Sequence, residues 1–426
     1  MDPASLAAIR FGLGRTPDQR PGADPARWLL QQLEAPDPGP TGRSVSDGFT
    51  AILLDREQRR DTGPSRAREI FRDETAALLD HAVATATPFR ERLVWFWANH
   101  FTVSTRRGEV GPLAGSFVRD AIRPYVTGRF GDMLLAVMRH PAMLLYLDNA
   151  QSAGPRSLIG GRQNRGLNEN LARECLELHT VSPAAGYTQA DVTEFARVLT
   201  GWSVERRENP LGFRFRPGVH EPGPKTVMGR SVPEGEAGGT AALAFLSGHP
   251  ATHRHLATKL VRHFVADDAS PDAVRRVEAM LRDTGGDLGQ AAAALVRLPA
   301  AWRPLTKIRT PQDAVVAAVR AAGLPPGRVS NMAGLVAGLG QPMFGAPFPI
   351  GWADEAGAWT GPEAMMRRVD WAYGFANRAE LPEPMQMADA ALGPLLRDDT
   401  ATEMRRAGSR RDAITLLLSS PEFQRR

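Results

Sequence analysis

The sequence predicts a mainly α-helical protein, a single multi-helix globular domain with a small β-hairpin excursion and long ordered loops. Three observations predict it. Apolar residues recur at helical spacing over most of the 426 residues. A capping residue followed by proline, a common helix start, appears repeatedly. The composition is ordinary for a globular chain, with 42% hydrophobic and 23% charged residues.

Helix starts and apolar stripes can be followed along the chain. The segment from Leu93 to Phe101 is apolar nearly all round, which indicates a central helix. Thr188, with Asp191 three residues later, predicts another N-terminus. Six further predicted starts share the cap–proline pattern: Asp24-Pro25, Thr87-Pro88, His249-Pro250, Ser270-Pro271, Thr310-Pro311 and Gly361-Pro362.

Three segments break the helical pattern. Residues 36–47 are rich in Pro, Gly and Ser and predict a surface loop. Residues 203–240 contain the alternation Phe213-Arg214-Phe215-Arg216 and then many Gly and Pro, which predicts a small β-hairpin within a long excursion. Residues 340–362 predict an ordered non-helical segment. Without repeats or a low-complexity linker, we expect residues 1–426 to form one intertwined helical domain.

The charge pattern argues against nucleic acid as a partner. The net charge is +5, but arginines are scattered among acids and form no basic run. Only three lysines occur: Lys225, Lys259 and Lys307. Where arginine is so strongly preferred, a retained lysine can mark a place that needs a compact ammonium group.

Other sequence features bear on location and cofactors. The chain begins without a basic and apolar leader and has no long apolar window, so we expect no membrane span. The expected location is cytoplasmic as numbered, or periplasmic or secreted if a signal peptide was removed. The phosphate-binding glycine motifs are missing, so no nucleotide cofactor is expected, while a divalent metal stays open. The single cysteine, Cys175, lies on an apolar helix face, which disfavours a catalytic thiol.

The most informative stretch is the predicted helix from Asn168 to His179. One face carries five polar side chains: Glu169, Asn170, Arg173, Glu174 and Glu177. They form either a surface ladder of i,i+4 ion pairs or one wall of a cleft. In a cleft, Glu174 and Glu177 could bind a metal or hold a raised pKa for proton transfer. On a helical wheel His179 falls away from this face.

Three other clusters could carry chemistry. Trp97, Asn99 and His100 end the central helix, where they are either core residues or a pocket wall. His220 and Lys225 lie in a rigid Pro/Gly loop, as a site or as mutually paired charges. The third cluster comprises His249, His253, His255, Lys259 and His263. It lacks the His-Glu-x-x-His zinc pattern and predicts a basic stripe that faces solvent or contacts a loop.

These segments together resemble the bacterial family known as domain of unknown function 1800. The resemblance covers nearly the whole chain, from Trp95–Phe101 through the Asn168–His179 helix and His220–Gly229 to Gly351-Trp352 and Ser420–Arg426. It implies a helical fold, and all three lysines fall in matching segments. It also implies a co-occurring sulfatase-like family as a partner and frequent export, although this chain shows no signal sequence. Two local departures are Glu221, where Asp is common, and Val181-Ser182-Pro183, where a Leu-Gly turn is usual.

Two functional hypotheses follow. The first is an enzyme using acid/base or metal-assisted chemistry, with Glu174, Glu177, His100, His220 and Lys225 as catalytic candidates. Its substrate-binding candidates are Asn99, Arg173, Trp97, Trp202 and Trp352, and its metal-ligand candidates are Glu174, Glu177, His100 and His220. The second is a non-enzymatic scaffold that binds a partner protein through the aromatic loops at 203–240 and 340–362.

Overall fold

The computed structural model describes residues 2–18, 21–57, 65–163 and 166–426. The described residues are mainly helical. In the first half of the chain the α-helices are α1 (Pro3–Leu6), α2 (Pro25–Glu34), α3 (Val45–Glu57), α4 (Arg66–Ala84), α5 (Pro88–His100), α6 (Ala114–Ser116), α7 (Phe130–Arg139), α8 (Pro141–Tyr146), α9 (Leu158–Gln163), α10 (Asn170–Glu174) and α11 (Gln189–Leu199).

The second half continues the helical pattern. Its α-helices are α12 (Glu236–Ser247), α13 (Pro250–Phe264), α14 (Pro271–Asp283), α15 (Leu288–Val296), α16 (Pro311–Ala321), α17 (Met332–Gly338), α18 (Pro362–Phe375), α19 (Pro384–Ala391), α20 (Asp398–Arg406) and α21 (Arg410–Ser419). Short 3₁₀ turns connect several of them. No helix among the described residues is long and apolar enough to cross a bilayer.

The cap–proline pattern predicted helix starts correctly, because capping depends only on neighbouring residues. All six predicted sites open a helix, and Ser270 accepts a hydrogen bond from the amide of Ala273. Thr188 and Thr310 both form complete capping boxes, with Asp191 and Asp313 as the reciprocal acids.

Three helical segments among the described residues have π geometry, in which the backbone bonds reach five residues instead of four. They span Ala7–Phe11, Phe117–Ile122 and Cys175–His179. The last continues directly from α10, so the predicted Asn168–His179 helix is an α-helix followed by a π turn.

The excursion at 203–240 holds two antiparallel hairpins rather than the one that the sequence predicts. Strands β1 (Trp202–Glu205) and β2 (Gly212–Phe215) pair with Trp202 opposite Phe215. Strands β3 (Lys225–Val227) and β4 (Arg230–Val232) pair with Lys225 opposite Val232. Each hairpin is too small to be stable alone and packs on neighbouring helices.

Two apolar clusters form the core. The larger contains residues from Ala7 to Ala301, and the smaller gathers Ile9, Leu79 and side chains of α16 to α21. Helix α4 contributes Leu78 to the first and Leu79 to the second. The mainly α prediction is therefore confirmed, with helices shared between both parts of a single globular domain.

The other two predicted loops lie between helices. Residues 36–44 connect α2 to α3, and Asp37 within them is ion-paired to Arg123 at 2.8 Å. Residues 339–361 connect α17 to α18 with one 3₁₀ turn at Ala356–Ala358. We call residues 340–362 the aromatic segment, because it carries Phe344, Phe348, Trp352 and Trp359.

Candidate functional site

The aromatic segment is fixed to the end of α5 by Asn99. The side-chain amide of Asn99 donates to the carbonyl of Trp352 at 2.9 Å and accepts from its amide at 2.8 Å. Gly351 permits this close approach, since it has φ +84° and a Cβ there would lie 2.5 Å from the carbonyl oxygen of Asn99. Asn99 therefore positions the loop through both the nitrogen and the oxygen of its side-chain amide.

Further bonds anchor both ends of the segment. Thr105 donates its amide to the carbonyl of Phe344 at 2.8 Å. Lys307 donates to Oδ1 of Asp267 at 2.5 Å and to the carbonyl of Asp354 at 2.9 Å. Asp267 in turn accepts from the amide of Ala356 at 2.8 Å. The buried Lys307 thus fixes the aromatic segment at Asp354.

One side of α13 faces this segment. His255, Lys259 and His263 recur at four-residue steps, which places them along one helix face. His255 donates from Nε2 to the carbonyl of Leu178 at 2.9 Å, and His100 donates from Nε2 to the carbonyl of His179 at 3.2 Å. Two histidines therefore satisfy carbonyls at the end of the π turn.

Between α13, the end of α5 and the aromatic segment lies a cavity of about 620 Å³, the Lys259 cavity. Its polar wall is formed by His100, His255, Lys259, His263 and Asp354. Its apolar wall is formed by Phe348, Ile350, Trp352 and Trp359. The indoles of Trp352 and Trp359 are tilted, with centroids 6.1 Å apart. Apolar walls with a few convergent polar groups are typical of small-molecule sites.

Lys259 is the distinctive group in this cavity. The side chain is half-buried, and its ammonium has no hydrogen-bond or ion-pair partner within residues 2–18, 21–57, 65–163 and 166–426. Burial lowers the pKa of Lys259 to about 8, although the more distant carboxylates of Asp354 and Glu355 favour its charge. An ammonium group that costs this much to desolvate is suited to a ligand that compensates it.

The histidines around it are neutral at pH 7. Burial and, to a smaller extent, the nearby charge of Lys259 lower the pKa of His255 to about 4. Burial, together with Lys259, holds the pKa of His100 well below its ordinary value. Because both rings donate from Nε2, their Nδ1 atoms keep a lone pair, which is buried in His100 and can accept a proton or hydrogen bond in His255.

The predicted acidic face of the Asn168–His179 helix lies apart from the Lys259 cavity. Arg173 pairs with Glu169 at 2.9 Å, which is half of the predicted ladder. Glu174 and Glu177 are half-buried and have no hydrogen-bond or ion-pair partner in the described part of the chain. Burial raises the pKa of Glu174, and the charge of Glu177 raises it further. The pair neighbours Tyr146 and Tyr187, whose pKa values are also raised, first by burial.

His220 and Lys225 meet each other but form a different cluster. His220 donates from Nδ1 to the carbonyl of Thr200 at 2.7 Å. Its Nε2 accepts from the amide of Gly235 at 2.9 Å and lies 3.1 Å from Nζ of Lys225. Lys225 also donates to the carbonyl of Glu221. Both ring nitrogens are satisfied, so this loop is held together by its own polar groups.

The tryptophans predicted to bind substrate have different surroundings. Trp97 is buried among Phe96, Phe101 and Phe130. Trp202 is fully buried beneath the guanidinium of Arg139, 5.2 Å from its ring centroid. Among the predicted site residues the structure joins His100, Asn99 and Trp352 at one cavity, and His220 with Lys225 at another place.

Sequence reasoning did not select Lys259, His255, His263 or Asp354 as site residues. The available signal was a rare lysine at i,i+4 spacing from two histidines. The sequence could not show that the stripe contacts the aromatic segment, because Asp354 is far from α13 along the chain.

One group of three potential ligands for a metal occurs among the described residues: Asp37, His81 and Glu91. A guanidinium already occupies it, since Arg123 lies 2.8 Å from Asp37 and 2.6 Å from Glu91. The hydrogen bonds to Asp37 and Glu91 outweigh burial and raise the pKa of His81 to about 9. Two cations thus balance the two carboxylates in this group.

Fold and site define an α-helical protein with a lysine-containing cavity beneath an aromatic loop. A family model described as a protein of unknown function (DUF1800) matches residues 6–425. The chain therefore belongs to this family, and the resemblance found in the sequence is confirmed. No curated protein and no solved structure is significantly similar to the chain.

Proposed function

We propose that the Lys259 cavity binds a small organic molecule and that the protein acts on it by acid/base chemistry. The observation that carries this proposal is the ammonium of Lys259, which has no hydrogen-bond or ion-pair partner in the described ranges and lines the same cavity as the indoles of Trp352 and Trp359. A half-buried charge without a partner is partly desolvated, so a ligand with a hydrogen-bond acceptor offsets that cost on binding.

The cavity favours a ligand with an apolar body and an oxygen-bearing end. Trp352 and Trp359 provide flat apolar surface, while His255 and Lys259 provide polar groups in the same cavity. The neutral ring of His255 supplies a lone pair for proton abstraction, and Lys259 supplies a donor for developing negative charge.

Ligand-observed NMR with sodium benzoate tests the proposal, with benzylamine as a probe of similar shape and opposite charge. We expect benzoate to bind and benzylamine not to bind. Lys259→Met removes the donor and should weaken benzoate binding roughly tenfold, the loss of one charge-assisted hydrogen bond.

The matched control is Arg254→Met. Arg254 is a cation on the same helix, but its side chain is 66% exposed and pairs only with Glu278 at 3.5 Å. This variant should bind benzoate as the wild type does. Equal benzoate binding by the wild type and Lys259→Met would contradict the proposed site.

Metal-assisted chemistry at the Glu174 and Glu177 pair is the alternative form of the enzyme proposal, although the predicted further ligands His100 and His220 do not join this pair in a three-ligand group among the described residues. Its support is the pair of half-buried carboxylates without a partner among the described residues. Elemental analysis of the purified protein tests it, together with melting curves in Mn²⁺ or Zn²⁺. A metal at this pair should stabilise the wild type and not the double variant Glu174→Gln, Glu177→Gln.

A scaffold role is the second candidate function, and exposed apolar side chains favour it. Phe348 and Ile350 on the aromatic segment are 66% and 58% exposed. The resemblance to the family implies a sulfatase-like protein as the partner. Substitution of Phe348 and Ile350 by Ser should abolish co-purification with that partner if this surface binds it.

A further inference from the structure

We propose that Lys259 is an amine nucleophile that forms a Schiff base with the carbonyl carbon of an aldehyde or ketone held in the Lys259 cavity. The inference rests on the proposed function, because the substrate occupies the same cavity. It deepens that function by naming the substrate class as a carbonyl compound with an apolar body.

The first argument is the difference between the three lysines. Lys307 is held by Asp267 and by the carbonyl of Asp354. Lys225 is held by His220 and the carbonyl of Glu221. Lys259 alone among the three opens onto a cavity and has no partner in the described ranges. Its nitrogen is therefore free to approach a ligand.

The second argument is protonation. Attack on a carbonyl requires the neutral amine, and desolvation in a largely apolar site increases its fraction near neutral pH. The pKa of about 8 at Lys259 leaves roughly a tenth of the amine neutral at pH 7, far more than for an exposed lysine. Lysines tuned in this way are typical Schiff-base nucleophiles.

The third argument is the supply of proton acceptors. Imine formation joins the lysine nitrogen to the carbonyl carbon and releases the carbonyl oxygen as water. The nitrogen loses its two protons, and the departing oxygen gains two. His255, four residues before Lys259 on the same helix face, has a neutral ring with a free Nδ1 lone pair. It can carry a proton between nitrogen and oxygen, and the reaction needs no oxidant or reductant.

The experiment is reductive trapping with benzaldehyde and sodium cyanoborohydride at pH 7, followed by peptide mass mapping. A reduced imine leaves one benzyl group on the lysine that reacted. In the native protein we expect at least tenfold more label on Lys259 than on Lys225 or Lys307. In urea the three lysines should react equally, which provides an internal control that needs no variant.

The pH dependence provides a second readout. The trapping rate at Lys259 should level off above about pH 8, whereas that of an ordinary lysine continues to rise towards pH 10.5. His255→Asn removes the proton carrier and should therefore slow trapping at Lys259. It should not change the pH at which the trapping rate levels off. A benzyl group distributed equally over the three lysines of the native protein would overturn the inference.

The outcomes separate the two proposals. If benzoate binds in the cavity but Lys259 gains no benzyl group, the Schiff-base inference fails and the binding site stands. If benzoate does not bind and Lys259 is still labelled selectively, Lys259 is a nucleophile, but the proposed binding of a ligand with an oxygen acceptor is wrong. If neither occurs, both are wrong.

Discussion

Asp354 and His263 share a hydrogen bond that joins the aromatic segment to α13, with 3.0 Å between Oδ1 and Nδ1. Burial lowers the pKa of His263 to about 4, so a neutral ring donates to the carboxylate at pH 7. The same oxygen lies 3.1 Å from Nη2 of Arg426. Asp354 therefore holds the aromatic segment in place over the Lys259 cavity.

Asp354→Asn should lower the stability of the protein and increase the mobility of the aromatic segment. The substitution removes the charge that compensates Arg426 and Lys307, and breaking such a pair costs about 3 kcal/mol of unfolding free energy. Urea denaturation measures the loss, and faster amide hydrogen exchange over residues 347–359 locates it. Glu355→Gln, at the exposed neighbouring acid, should change stability by less than about 0.5 kcal/mol. Equal losses in both variants would contradict this role.

Lys259→Met should stabilise the protein at pH 7. The pKa of Lys259 is about 8 in the fold against 10.5 in an unfolded chain, so the unfolded state binds more protons between these values. Wild-type stability is therefore reduced below pH 8 and recovers as the pH rises to 10.5. The variant should gain about 1–3 kcal/mol at pH 7 and lose that advantage by pH 10.5. A constant difference across this range would exclude the shifted pKa.

His81→Gln should show the opposite pH dependence. The pKa of His81 is raised from 6.5 to about 9, so its ion pairs stabilise the fold fully below pH 6.5. That stabilisation is lost as the pH rises through 9. After allowance for partial solvent exposure, the wild type should exceed the variant by about 1–2 kcal/mol at pH 6. Thermal melts at pH 6, 8 and 10 measure whether the difference falls as expected.

His220→Ala should reduce stability without affecting the Lys259 cavity. The substitution leaves the carbonyl of Thr200, the amide of Gly235 and the ammonium of Lys225 without their partner. We expect a loss of about 2–4 kcal/mol and unchanged benzoate affinity in the folded variant. Normal stability with lost ligand binding would instead assign His220 to the site.

The sequence predicts helix starts well because each cap forms between residues three or four apart. Thr310 and Asp313, for example, recognise each other within one turn. The pairing of buried charges is different, since the partners of Lys307 and Arg426 lie on other elements. The i,i+4 histidines around Lys259 set it apart from Lys225 and Lys307 in the sequence, but they do not show that Lys259 faces a cavity while the other two are bonded to the protein.

The Asn168–His179 helix shows a second limit of prediction from sequence. A helical wheel assumes 100° per residue, which the π turn at Cys175–His179 does not follow. His179 is buried with its ring centroid 5.8 Å from that of His100. The wheel describes the first turn, where Arg173 pairs with Glu169, but a wheel of side chains does not predict that the carbonyls at the end of the helix accept from His100 and His255.

The scarcity of lysine has a practical consequence for finding partners. None of the three lysines is an exposed side chain, because Lys225 and Lys307 are buried and Lys259 lies within its cavity. Amine-directed cross-linkers would therefore miss a protein docked on the outer surface. Reagents that couple to carboxylates or arginines would reach that surface, which makes the choice of cross-linker decisive in any search for a binding partner.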